Sequence, residues 1–322
     1  GGLGVVTLNS GVINNTLGQS VVGSWGTGTL HINSGGHFSG HHMSVGSCET
    51  GDGTVNINGF GKLNVWSLTS HADSEAQLNI TDGGTLRVSS PTQNLFENFG
   101  VGDTTVDGWG FIEIMGNDVS TATNFGGFSG DGHLFKTENG SLTLHGTNTL
   151  NGFYVQEGSL IVEGEVTGFV RVAAGAKVSG SGVTGEMTLS NAHLAPGSSP
   201  GEITVASLSF EGDNTIDFEL GVDPSQSDLI TVIGALTNDS GEILFNFINN
   251  GWVDGQTYDL INFGVSSISL ADYDYRSDDS DLVGGVFSLN GNTLQFTPDI
   301  IPEPSSALLL VLAGFGLLRR QR

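Results

Sequence analysis

The feature that most constrains this chain is a segment that recurs along its first third. One copy opens at Val22-Gly23-Ser24 and runs through Gly28-Thr29-Leu30-His31-Ile32-Asn33-Ser34-Gly35-Gly36. The same order returns at Val45-Gly46-Ser47, continuing through Gly53-Thr54-Val55-Asn56-Ile57-Asn58-Gly59. Its core appears a third time at Ala76-Gln77-Leu78-Asn79-Ile80-Thr81-Asp82-Gly83-Gly84, followed by Thr85-Leu86-Arg87-Val88. A looser copy begins at Val101-Gly102-Asp103 and reaches Gly110-Phe111-Ile112-Glu113-Ile114, with echoes at Ser141-Leu142-Thr143-Leu144 and Ser159-Leu160-Ile161-Val162. The cores lie about two dozen residues apart, a spacing typical of solenoid coils.

Each unit follows one physical logic. In Leu-x-Ile or Val-x-Ile, alternation sends apolar side chains to one face and polar ones to the other. Asn-Gly, Asp-Gly and Gly-Gly then supply the positive φ that a sharp corner requires. A single unit cannot bury its apolar face, whereas stacked units bury a continuous column. The expected fold is therefore all-β, a parallel β-solenoid (β-helix), with Leu30, Ile32, Val55, Ile57, Leu78 and Ile80 as inward ladders. An antiparallel sandwich with hairpins at the same turns is the rival.

From Gly164 to Ser190 the pattern changes to small-residue strands: Phe169-Val170-Arg171-Val172, Ala176-Lys177-Val178 and Gly185-Glu186-Met187-Thr188-Leu189. Leu194-Ala195-Pro196-Gly197-Ser198-Ser199-Pro200-Gly201 then interrupts regular pairing and marks a corner or boundary. Beyond it, longer alternating runs rich in aromatics, such as Thr215–Leu220 and Ile243–Phe247, read as a cap of the solenoid or a small sandwich. The expected division is residues 1–193 as repeat solenoid, 194–298 as a β-rich C-terminal part of the body, and 299–322 as a tail.

Composition supports this reading and excludes others. Glycine supplies 51 of the 322 residues without a strict three-residue period, and proline only 7, so collagen is excluded. There are 34 acids against 9 bases. The segment from Pro302 onward holds Glu303, Arg319, Arg320 and Arg322, which leaves the rest of the chain with 33 acids and six bases: Lys62, Arg87, Lys136, Arg171, Lys177 and Arg276. No basic patch exists to displace counterions from phosphates, so nucleic-acid binding is excluded. Cys48 is the only cysteine, which forbids an intrachain disulfide and makes a zinc or redox role unexpected. An exported chain needs a leader, and none is visible before the strand pattern that opens at Gly1, so a signal peptide is expected to be missing from this sequence.

The copied Val-Gly-Ser…Gly-x-Gly-Thr-[Leu/Val]-x-Ile unit and the Leu194–Gly201 corner resemble the repeat passengers of autotransporter-type exported bacterial proteins. That likeness implies a β-solenoid and says little about activity. The tail is more specific. Pro302, Glu303 and Pro304 precede Ser305 and Ser306, and Ala307, Leu308, Leu309, Leu310, Val311, Leu312, Ala313, Gly314, Phe315, Gly316, Leu317 and Leu318 form an uncharged run of twelve. Arg319, Arg320 and Arg322 close the chain as a basic stop. The prolines disfavour helix before them, so one short hydrophobic helix is expected to start near Ser305. Twelve helical residues reach about 18 Å, well short of a bilayer core of about 30 Å.

A marginal span fits a temporary anchor. The order Pro-Glu-Pro, apolar helix, arginine cluster resembles the PEP-CTERM sorting signal of Gram-negative bacteria. The resemblance implies that an exosortase-type enzyme at the inner membrane recognises and removes the tail during export. It also implies association with the cell surface or extracellular matrix of a biofilm, and it assigns no activity to the body.

Candidate chemistry in the body is sparse. His37, His41 and His42 cluster near His31, but adjacent residues on a strand face opposite sides, so a solvated loop is expected rather than zinc. Asp272, Asp274, Asp278, Asp279 and Asp281 are candidate calcium ligands, although their run lacks the glycine and terminal glutamate of an EF-hand loop. No His-Glu-x-x-His helix or phosphate loop occurs, and the one Gly-x-Ser-x-Gly string, Gly197-Ser198-Ser199-Pro200-Gly201, falls in the proline-rich corner with no helix pattern after it to make a nucleophile elbow. The expectation is a non-enzymatic structural or adhesive surface protein, with extracellular polysaccharide or like chains as partners. The alternative is a β-helix polysaccharide lyase or glycosidase, which would draw on a pair among the many carboxylates. Trp25, Trp66 and Trp109 are either surface stackers or core.

Overall fold

In the computed structural model, which describes residues 2–197 and 199–300, the repeated segments stack as parallel coils. Gly4–Leu8, Gly28–Ile32, Gly53–Asn58, Ala76–Thr81 and Thr104–Asp107 pair side by side, all parallel. Leu30 lies opposite Val55 and Val55 opposite Leu78; Ile32 lies opposite Ile57 and Ile57 opposite Ile80. These six residues are buried as the alternation requires, and the Ile32 row continues to Val106. The all-β parallel solenoid is therefore the observed architecture, and the antiparallel sandwich is not.

The corners explain the repeated glycine pairs. Gly35 and Gly83 adopt φ of +78° and +90°, turning the chain from the first sheet into the second. The glycine that follows each turn has a different reason. A Cβ on Gly84 would overlap the carbonyl oxygen of Ile57 in the coil before, as one on Gly36 would overlap that of Leu8. Close stacking of coils thus requires glycine at these places.

Outside the core, polar side chains also stack. The Asn79 amide donates to Asn56 Oδ1 (2.9 Å), and the Thr105 hydroxyl donates to Asn79 Oδ1 (2.6 Å). A second row runs from Thr81 to Asn58 (2.7 Å), Asn58 to Asn33 (3.1 Å) and Asn33 to Asn9 (2.7 Å). Each bond crosses from one coil to the next, so the solvent face reinforces the register that the core sets.

The cross-section changes along the axis. Early coils have three sides, as in Ala76–Thr81, Gly84–Val88 and Thr92–Leu95. The first sheet ends at Phe128–Ser129, and later coils alternate between the two remaining sheets. Coil length follows: Gly28 pairs with Gly53, but Ser159 pairs with Lys177, and Ile243 with Tyr273. Parallel pairing crosses the Leu194 corner without a break, because His193–Pro196 pairs with both Lys177–Gly180 and Asn214–Gly221.

The coil stack closes in an antiparallel arrangement. Thr293–Ile300 runs against Tyr258–Ser266 on one side and Leu282–Asn290 on the other. Phe287 and Phe296 from this hairpin pack on Phe245, Phe247 and Tyr275, with the Phe247 and Phe296 centroids 4.3 Å apart. An aromatic plug thus fills the final coils.

Among the described residues no helix is long and apolar enough to cross a membrane. The sorting motif, the hydrophobic helix and the basic stop all lie outside the described residues.

Truncating Ile57 to alanine opens a cavity in the middle of a column and is expected to cost on the order of 3 kcal/mol. Truncating outward Asn56 removes only inter-coil hydrogen bonds and is expected to cost about 1 kcal/mol. Equilibrium urea unfolding of both variants checks this; equal costs would contradict the inward register.

Candidate functional site

The outward positions of the second sheet form the most distinctive surface of the body. Trp109–Ile114 pairs with His133–Thr137, which pairs with Gly152–Val155, which pairs with Phe169–Val172. In this register Phe111 faces Phe135, Phe135 faces Tyr154, and Tyr154 faces Arg171. One row over, Trp109 lies beside His133, and Gly152 lies between His133 and Phe169. The intervening residues Ile112, Leu134, Phe153 and Val170 are buried, so the named rings project outward.

The rings touch one another in sequence along the axis. Phe111 and Phe135 are 5.4 Å apart, and Phe135 and Tyr154 stack at 4.5 Å with planes 4° apart. Tyr154 meets Phe169 edge to face at 5.3 Å, and Arg171 sits 5.4 Å over the Phe169 ring. Such contacts add roughly 0.5–1.5 kcal/mol per pair beyond burial. The strip is most exposed at its N-terminal end. There Trp109 is 47% exposed and Phe60 is 62% exposed, their centroids 6.2 Å apart at 67°.

Phe60 is also a backbone outlier. It occupies a corner with φ of +67°, where a bulky side chain is rare. Its ring lies against Gly83 of the next coil, where a Cβ would come within 2.8 Å of it. Phe60 thus takes the corner place that Gly35 and Gly83 take in the neighbouring coils, with its side chain left exposed.

Ionic groups border the strip. Lys62 Nζ donates to Glu113 Oε2 (2.8 Å), and Arg87 donates to the same carboxylate while lying 3.7 Å from Glu138. Lys136 takes the other direction: it is wholly buried, and its Nζ donates to the carbonyls of Glu138 and Glu157, each at 2.7 Å. Burial lowers its pKa to about 8, against the opposing charges of Glu157 and Glu138. This lysine holds two successive corners together from inside.

Of the four tryptophans, Trp25, Trp66 and Trp109 are surface residues, Trp25 being 72% and Trp66 38% exposed, while Trp252 is buried. Trp66 stacks on His41 at 3.6 Å and meets His42 edge-on, and His42 Nδ1 is 2.7 Å from the Ser67 hydroxyl. His37, His41 and His42 therefore belong to the Gly36–Val45 strand and not to a loop, because strands on both sides pair with it. His31 joins the amide ladder through Asn56. Cys48 Sγ lies 3.8 Å from the Ser24 and Ser47 hydroxyls.

The acidic run also folds more than expected. Asp272 closes a capping box on Ser269, and Asp274 lies in the Tyr273–Ser277 strand, accepting from the Tyr275 N–H (2.8 Å). Asp279 accepts from the Asp281 N–H (2.9 Å) and from the Asn249 amide. Asp278 and Asp281 lie between this strand and the next. Among the described residues no three or more His, Cys, Asp or Glu side chains converge to hold a metal ion.

Two cavities bear on chemistry. One of about 680 Å³ lies at the first coils, lined by Val6, Ile13, Trp25, Leu30 and Phe38, with no titratable side chain in its wall. Another of about 280 Å³ is lined by Lys177, Ser199, Asp217, Glu219 and Asp228. Burial works to raise the Asp217 pKa, yet hydrogen bonds from Asn246 (2.9 Å) and Lys177 (3.1 Å) and the Lys177 charge hold it below the usual range. Asp228 is buried, and burial pushes its pKa up to about 6, helped by the Glu219 charge against the pull of two backbone N–H groups. Those donors are Gly201 (2.9 Å) and Glu219 (2.8 Å), one on each carboxylate oxygen. Asp228 thus staples the Pro200-Gly201 corner to the Asn214–Gly221 strand.

Sequence reasoning missed the strip and Lys136. The available signal was phase: Trp109, Phe111, His133, Phe135, Tyr154 and Phe169 all fall on the outward beat of their alternations, and Lys136 on the inward beat.

No protein-family model matches the chain, and no curated protein matches it either.

Asp228 gives a pH dependence. Its carboxyl titrates near 6 when folded and near 3.8 in an exposed chain. A raised folded value means that its stabilisation is full below about pH 4 and is lost as pH rises through 6. The separation is worth about 3 kcal/mol. The stability advantage of wild type over Asp228→Asn is expected to shrink by about that amount between about pH 4 and 7.5 in urea unfolding. An advantage that does not change with pH would refute a desolvated carboxyl.

Proposed function

We propose that this chain is an exported, non-enzymatic surface or extracellular-matrix protein that binds polysaccharide along its aromatic strip. The observation that carries the reading is the strip itself, with Phe60 and Trp109 exposed at one end and Tyr154 and His133 adding polar atoms along it. Sugar rings bind aromatic faces through their axial C–H bonds and hydrogen-bond at their rims. Coils rise about 4.8 Å each, close to the length of one extended pyranose, so a chain lying along the axis passes one strip position per coil.

Charge selects the polymer. The protein is strongly acidic, and Lys62 and Arg87 beside the strip are already paired with Glu113. A neutral polysaccharide fits this surface, whereas a polyanion meets long-range repulsion.

Delivery is assigned to the tail. Pro302, Glu303 and Pro304, the apolar run and the terminal arginines resemble a PEP-CTERM signal, which we read as a temporary inner-membrane anchor removed by an exosortase-type enzyme.

Two experiments test these parts separately. Affinity electrophoresis in neutral and acidic polysaccharides is expected to retard the wild-type chain in a neutral gel. Trp109→Ala and Phe60→Ala are each expected to weaken retention about tenfold, or about 1.4 kcal/mol, with unchanged melting. Equal mobility of wild type and variants would sink the strip as a binding site, and shortening of the polymer would favour the lyase or glycosidase alternative. For the tail, the chain is expressed in hosts with and without an exosortase, and the mature C-terminus is read by mass spectrometry. Loss of the segment through Arg322 is expected only in the competent host; an intact Arg322 in protein exported there contradicts processing.

A further inference from the structure

We propose that the C-terminal end of the aromatic strip holds a pocket for a carboxylate-bearing sugar, so that the polymer recognised is a neutral chain carrying occasional uronic acid residues. The inference rests on the strip as the polysaccharide-binding surface and adds the chemistry of one position on it. A cavity of about 300 Å³ opens at this end, lined by Tyr154, Gln156, Arg171, Ser190 and Asn191.

Arg171 sets this end apart. Lys62, Arg87 and Lys177 each meet a carboxylate, and Lys136 is buried on backbone carbonyls. Arg171 is exposed, and among the described residues no carboxylate lies within ion-pair distance of it. Its guanidinium is held over the Phe169 ring instead, 5.4 Å from the centroid. An arginine clear of carboxylates, in a chain with 34 acids, is open to one that a ligand brings.

Two further donors line the same space. Tyr154 sits opposite Arg171 on the paired strand, and Gln156 follows it by two residues. Among the described residues the Tyr154 hydroxyl and the Gln156 side-chain amide make no hydrogen bond. Ser190, by contrast, donates to Glu211 (2.6 Å), and Asn191 Oδ1 accepts the Asp213 N–H (3.1 Å). A phenol, an amide and a guanidinium can all donate, and a planar carboxylate matches the arginine fork with two parallel bonds.

Charge sets how many carboxylates the polymer carries. The acid excess repels a chain charged at every sugar. Glu211 beyond Ser190, and exposed Glu186 on the strand next to Arg171, add to that repulsion nearby. A single carboxylate seated on Arg171 is screened from more distant acids by a Debye length of about 8 Å. The pocket therefore takes one acidic sugar and not a run of them.

Two measurements on the full chain in mild detergent test this. Saturation-transfer NMR is run with sodium glucuronate and, separately, with glucose. Transfer to glucuronate and little to glucose is expected, with binding of glucuronate about tenfold weaker in Arg171→Gln. No transfer to glucuronate in wild type, or the same transfer in Arg171→Gln, overturns the pocket. In the second arm, a neutral polysaccharide that retards the chain is oxidised to carboxylates at a small fraction of its primary alcohols. Wild type is expected to bind the oxidised gel about tenfold more tightly than its parent, and Arg171→Gln to bind both equally with an unchanged melting temperature. A wild type indifferent to the oxidation overturns the proposal and leaves the strip standing. Arg171-dependent transfer to glucuronate without retention in any neutral gel sinks the strip and leaves the pocket.

Discussion

Everything in this molecule depends on the register in which each coil pairs with the next. Because side chains alternate with period two, a slip of one residue would turn every inward Leu, Ile and Val outward. The corner glycines prevent that slip by sterics: only a residue without Cβ lets the Gly84 backbone approach the Ile57 carbonyl. Once the core fixes the register, the outer surface inherits it. Residues of one kind at equivalent outward positions become rows, which is how the Asn56 and Asn79 amides, the Phe135 and Tyr154 rings, and the Arg87 and Glu113 charges come into contact. Function on such a body is written in rows across coils and not in local motifs.

That distinction explains what the sequence reveals and what it hides. The ladder through Ile32, Ile57 and Ile80 is legible because the copied segments keep nearly the same length, so a fixed period finds it. The aromatic strip is not, because Phe111, Phe135, Tyr154 and Arg171 align only after coils have shortened from 24 to 19 to 17 residues. The same drift obscures the continuation past Leu194, where no copy of the repeat remains and alternation alone keeps the strands parallel. Lys136 was hidden for a different reason. A lysine reads as solvent-facing until one knows that its ammonium meets the carbonyls of two stacked corners. The histidines misled in the opposite direction: polar spacing near Gly40 reads as loop, while pairing on both sides makes it strand.

The few cations of the body serve the stack. Lys62 reaches across two coils to Glu113, Lys177 reaches Asp217, Arg171 covers Phe169, and Arg276 donates to Asn246 (3.2 Å). Partly exposed pairs of this kind contribute modestly to stability, typically below 1 kcal/mol. Their larger effect is on the field around the protein: bases held by neighbours leave an excess of acids to set the long-range potential. A rigid, negatively charged rod resists lateral clumping and repels polyanions, which confines attractive contacts to surfaces where charge is absent or locally balanced. The aromatic strip is of that kind.

The position of the chain's exit follows from the same topology. Residues 293–296 are flanked on both sides by antiparallel neighbours, and their strand runs on against Leu282–Asn290 until its last residue lies opposite Leu282. A tail leaving an edge strand would peel its hydrogen bonds one at a time when pulled. Leaving a central strand, it loads both ladders in shear, where many bonds must break together. The Phe247–Phe296 contact at 4.3 Å adds an apolar anchor within the same strand. The tail is proposed to tether the chain to a membrane and then to be removed, so the body must bear traction and handling at this end without unravelling. A stack closed by an antiparallel hairpin over an aromatic plug meets that demand, whereas a solenoid that ended on an open parallel coil would fray from the point of attachment.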